Sequence, residues 1–157
     1  MQFRKTLIQL FALTSLLIAG GAYAHTDEYL DTQKAPHGGQ LRMAGIYHFE
    51  LVVAKDSKQS KNNPVVVYVT DHAGTKISTT GAKGTVTLLA GKTKTMLNLT
   101  PDSENALKAS GNYTPVPEMK AVVSITLAGK AAEQARFTPL SNSGTAKLDD
   151  HAGHAEH

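Results

Sequence analysis

The chain contains no cysteine and no tryptophan. Without cysteine there are no disulfides, no thiolate metal sites and no cysteine nucleophile. Stability must then come from an apolar core, which a domain of roughly 100 residues can supply. Catalytic motifs are missing as well. There is no serine nucleophile elbow, no paired-carboxylate motif and no H-E-x-x-H, and the glycines of "GAKGT" lack the rest of a phosphate-binding loop. An enzyme is not expected. Asp/Asn ladders of the calcium type are absent. Past the N-terminal segment the methionines are only Met43, Met96 and Met119, too scattered for a copper(I) cluster.

Charge of one sign is also scarce. Residues 1–24 carry Arg4 and Lys5, an apolar stretch "LIQLFALTSLLIAGG" and the small-x-small triplet Ala22-Tyr23-Ala24, the pattern of a cleaved export signal. The apolar run is short for a membrane anchor, and no stop-transfer charges follow. Cleavage after Ala24 leaves 133 of the 157 residues. It removes two of the 16 basic side chains and none of the 13 acidic ones, so 14 stand against 13 and the net charge falls from +3 to +1. That balance gives no reason to expect nucleic-acid or membrane-surface binding. The expected location is the periplasm, with no membrane span after cleavage. Oligomeric state is not encoded in any visible pattern.

What the chain does have is β pattern and histidine. "YHFELVVA" (47–54) alternates Tyr47, Phe49, Leu51 and Val53 against His48, Glu50 and Val52, the period of a strand with one buried face. "VVVYV" (65–69) reads as a central strand. "TVTLLA" (85–90), "TMLNLT" (95–100), "AVVSITLA" (121–128) and "QARFTP" (134–139) follow, the last stopped by Pro139. Turn residues separate them. "TPDSENALKAS" (100–110) is the one stretch with a helical hint. The expected fold is all-β, an antiparallel β-sandwich of immunoglobulin or cupredoxin size over 36–140, with an open barrel as the close competitor. Residues 25–35 form an arm, either ordered or loose, and 141–157 a flexible polar tail.

All seven histidines follow the export segment. The tetrad Asp-His-Ala-Gly occurs at 71–74 and again at 150–153, inside "DDHAGHAEH". In the tail, His151, His154 and His157 recur every third residue beside Asp149, Asp150 and Glu156, a donor set of imidazoles and carboxylates that suits a transition-metal ion. A solvated tail and an expression tag are the plainer alternatives. In the folded part, pairing 47–54 with 65–70 about a centre near residue 59 sets His48 opposite Thr70. His72 then lies just beyond, and Glu50 shares the outward face of His48. His48, Asp71 and His72, with Glu50, form the expected ordered site. Turn chemistry explains Asp71 and Gly74 without a metal. A hairpin near Ala44-Gly45 puts His37 opposite Val52, about 13 Å from His48, too far for a shared ion at about 3.3 Å per residue. His37 then shapes a turn or meets His25. As a new N-terminus, His25 offers its α-amine and imidazole together, but without the second-histidine spacing an oxygenase requires. Imidazole with carboxylate suits zinc or copper(II), and the residues do not choose between them.

The segments "PHGGQLRMAGIYHFELVV", "VYVTDHAGTKIST" and "GAKGTVTLL" resemble a group of small exported bacterial β-sandwich proteins. They are similar to modules of the periplasmic adaptor subunits of heavy-metal efflux systems. The resemblance covers about residues 35 to 138 and excludes the tail. It implies a periplasmic module working near metal export or resistance, with an efflux component as a conceivable partner. His37, His48 and His72 fall in the matching motifs, without an assigned ligand role for each. The long coiled-coil hairpin and barrel segments of a full adaptor are absent. Two functions of different class follow as expectations: a soluble metal carrier or buffer for copper or zinc, or a non-catalytic adaptor module that binds an envelope protein, with metal incidental.

Overall fold

The computed structural model describes residues 26–141. Both ends considered above, the export segment with His25 and the tail with His151, His154 and His157, lie outside the described residues. Among the described residues no helix is long and apolar enough to cross a membrane.

The fold is all-β. Eight strands follow a short helix: α1 (Asp27–Thr32), β1 (Gln40–Ala44), β2 (Tyr47–Val53), β3 (Asn63–Thr70), β4 (Lys83–Ala90), β5 (Thr93–Ser103), β6 (Ala106–Gly111), β7 (Lys120–Thr126) and β8 (Ala132–Phe137). Every pairing is antiparallel, in the order β1-β2-β3-β6-β5-β4-β7-β8. Strands β3 to β6 form a Greek key, in which three hairpin-linked strands (β4, β5, β6) return to lie beside β3. The eleven-residue β5 turns the corner. Residues 93–99 pair with β4 and 100–103 with β6, the latter with an irregularity between Pro101 and Ser103. The end strands then meet. The backbone N–H of Thr138, just past β8, donates to Gln40 Oε1 of β1 at 2.8 Å. Sandwich and open barrel thus converge on one sheet folded over its own core and nearly closed.

The core is a single apolar cluster fed by both layers. Tyr47, Phe49, Leu51, Val65, Val67 and Val69 enter from one side, and Val86, Leu88, Val123, Ile125 and Phe137 from the other. Alternation decides these positions: β3 buries Val65, Val67 and Val69 while Val66 and Tyr68 between them stay partly exposed.

One expectation changes. The helical hint at 100–110 is the β5–β6 hairpin instead. Its tip is held from outside: the N–H of Val69 donates to the Asn105 carbonyl (2.8 Å), the N–H of Thr79 to the Glu104 carbonyl (2.9 Å), and the Thr79 hydroxyl to the Ala106 carbonyl (3.0 Å). Buried Leu99 and Leu107 hold its two arms in the core. Tertiary bonding overrides a weak local helical preference. The N-terminal arm, in turn, packs as part of the folded body. Thr26 caps α1 by accepting from the N–H of Tyr29 (3.3 Å), and Leu30 is buried. Asp31 grips Arg42 of β1 with both oxygens, at 2.7 and 3.2 Å, a bidentate geometry that fixes the helix angle as well as its place.

Candidate functional site

Strand β2 turns Tyr47, Phe49, Leu51 and Val53 into the core, so His48 and Glu50 point to the opposite face. Such a face would ordinarily meet water. Here both side chains are buried, His48 at 8% and Glu50 at 3% exposure, because two loops lie over them.

The first cover is the Asp71–Thr75 turn. His48 pairs with Thr70 across β2 and β3, the register expected from the symmetric loop. Just past Thr70 the chain reverses. The Asp71 carboxylate accepts the N–H groups of Ala73 (2.9 Å) and Thr75 (2.8 Å), and the Asp71 N–H donates to the Thr75 carbonyl (2.9 Å). Donation from Thr75 above all holds the Asp71 carboxyl below its usual pKa range, with the Ala73 N–H and the nearby His72 acting in the same direction. The turn brings exposed His72 back over His48. Their rings stack with centroids 4.9 Å apart and planes within 7°. Asp71 therefore shapes the turn that delivers His72.

The second cover is the His37-Gly38-Gly39 loop. Glu50 Oε1 accepts the backbone N–H groups of His37 (2.8 Å) and Gly39 (3.0 Å), while Oε2 faces His37 Nδ1 at 2.8 Å. The glycines have separate reasons. Gly38 adopts φ +71°, a left-handed conformation that suits glycine. At Gly39 a Cβ would collide with the Leu51 carbonyl oxygen, so only glycine lets the loop come this close. The His37 ring also lies flat on Tyr68, with centroids 3.5 Å apart and planes within 5°.

This arrangement corrects the placement of His37. The β1–β2 turn is at Gly45-Ile46, with Gln40 opposite Leu51, one residue later than the spacing suggested. The chain before Gln40 then leaves the ladder and curls over β2, so His37 meets Glu50. Glu50 itself is two residues from His48, or about 7 Å along the strand.

The outer face of β2 and β3 thus carries two ring pairs, His48 on His72 and His37 on Tyr68, with a buried carboxylate between them. Among the described residues no group of three or more His, Asp or Glu side chains is gathered closely enough to hold a metal ion. What is assembled is a pair of imidazoles. Two nitrogens sharing one tetrahedral ion at about 2.0–2.1 Å lie about 3.3 Å apart. The stacked rings would need to hinge toward each other, and His72, exposed on a turn, is the side chain placed to do so. The HGG–Glu50 clamp is what the sequence reading missed. Its one visible signal is a glycine pair preceded by histidine, with a lone acidic residue on the strand of the same hairpin.

Comparison of the chain with protein-family models, curated protein sequences and solved structures gives no match.

Proposed function

We propose that this chain is an exported, periplasmic metal-binding protein that carries or buffers copper(II) or zinc. In this reading His48 and His72 are the ordered ligands, and the tail histidines His151, His154 and His157 capture ions and complete the coordination. The observation that supports it is the His48–His72 stack, which brings together two imidazoles separated by 24 positions in sequence. Neutral imidazole suits both metals. A two-histidine site is incomplete by itself, which fits a carrier that must release its cargo, for example to a heavy-metal efflux component. Glu50 is not a ligand in this scheme, since the loop backbone and His37 occupy both of its oxygens.

The test is native mass spectrometry and calorimetry of the protein titrated with copper(II) and with zinc, beside a His72→Ala variant and a chain ending at Leu148. His72→Ala should weaken one site, and the shortened chain should lower stoichiometry. Absence of any binding tighter than millimolar would overturn the carrier and leave the adaptor module that binds an envelope protein.

A further inference from the structure

A groove lies away from the histidines, on the outer face of β5, β4, β7 and β8. It encloses about 480 Å³, within the range of small-molecule sites. The sheet register explains its chemistry. Leu89 of β4 sits between Lys94 of β5 and Lys120 of β7 in one cross-strand row. Next to it, Val122 of β7 lies beside Arg136 of β8. Leu89 is 41% exposed, at a position where alternation calls for a polar residue. Lys94, Lys120 and Arg136 are exposed, and among the described residues none of them forms an ion pair with a carboxylate. At the groove's end Arg42 is matched by Asp31 and, at 3.6 Å, by Asp27. With Arg42 offset by Asp27 and Asp31, the four Lys and Arg of the lining still leave a net charge of +2. A positive rim around an apolar floor is complementary to a molecule with an acidic head and an apolar body.

We infer that this groove binds a single-chain organic carboxylate, with its chain on Leu89 and Val122 and its head group held by Lys94, Lys120 and Arg136. The lysines flank Leu89 about 10 Å apart across two strand spacings, so their flexible stems can close on a carboxylate from either side. The inference is independent of the metal site, which occupies other strands.

The experiment is an NMR titration of the protein with octanoate below its micellar range, with octanol and acetate as controls. Octanoate should shift the methyl resonances of Leu89 and Val122 saturably and leave His72 unmoved. Octanol should bind about ten-fold more weakly for want of the charge contacts, and acetate should not saturate. The double variant Lys94→Gln/Lys120→Gln changes only exposed side chains and should lose a similar factor for octanoate. Equal affinity for octanol, octanoate binding unchanged in the double variant, saturable acetate binding, or shifts centred on His72 would each overturn the assignment.

Discussion

Two outer faces of the same folded sheet came out opposite in character. Over β2 and β3, the positions between core residues are His48, Glu50 and Tyr68, and loops cover them until a carboxylate sits at 3% exposure. Over β4, β5 and β7, the equivalent positions are Leu89, Lys94 and Lys120, and they stand open. The buried face holds a histidine and a carboxylate, while the open one exposes a leucine between two lysines. Strand alternation says which side of a sheet a residue occupies. Whether water reaches that side depends on what crosses above it.

The largest effect should come from breaking the covered face. Glu50→Ala removes the acceptor for two backbone N–H groups and the partner of His37, so urea unfolding should show a loss of about 2–4 kcal/mol. Leu89→Thr on the open face should stay within about 0.5 kcal/mol. If the two variants cost the same, the contrast between the faces fails.

Next comes a buried polar group that ties the far end of the covered layer. The Tyr113 hydroxyl donates to the Pro64 carbonyl (2.6 Å) and accepts the Ala54 N–H (3.0 Å). Tyr113→Phe should cost about 1–2 kcal/mol in the same assay. Burial raises the Tyr113 pKa, against the opposing pull of the Ala54 N–H. Its contribution is therefore complete below the ordinary tyrosine value of about 10, and is lost as pH climbs through the raised one. Between those two values the parent should lose stability with pH relative to Tyr113→Phe. Parallel pH curves would mean that burial does not act on this phenol.

The smallest effect belongs to the turn that carries His72. Because the Asp71 pKa is lowered in the fold, its contribution is present above the ordinary value of about 3.9 and fades as pH falls through the depressed one. Carbon-detected NMR of the Asp71 carboxyl should show a midpoint below that of a free aspartate. An ordinary midpoint would mean that the turn does not hold the carboxylate as described.

The sequence was most legible where local pattern and loop symmetry acted together. The core face of β2 and the pairing of His48 with Thr70 could be read directly, because a period of two and a symmetric connection leave one sensible register. The proximity of His72 followed from that register. His37 was harder, since a one-residue shift in a tight turn moves every partner, and the loop before β1 abandons the ladder. The hairpin at 100–110 resembled a helix because the N–H and hydroxyl groups that hold its tip come from Val69 and Thr79, more than 24 positions away.

By itself the sequence determined an all-β chain without disulfides, the buried face of β2, and the end of the sheet that carries two of its histidines. Period-two burial and turn residues are local properties, legible without knowing the neighbours. Only the tertiary structure decided that the sheet nearly closes, that Glu50 is buried beneath a glycine loop, and that Lys94 and Lys120 flank one exposed leucine. Each of these depends on segments distant in sequence coming to lie over or beside one another. No local pattern carries that information, because the energy that selects the arrangement resides in the contacts between the segments.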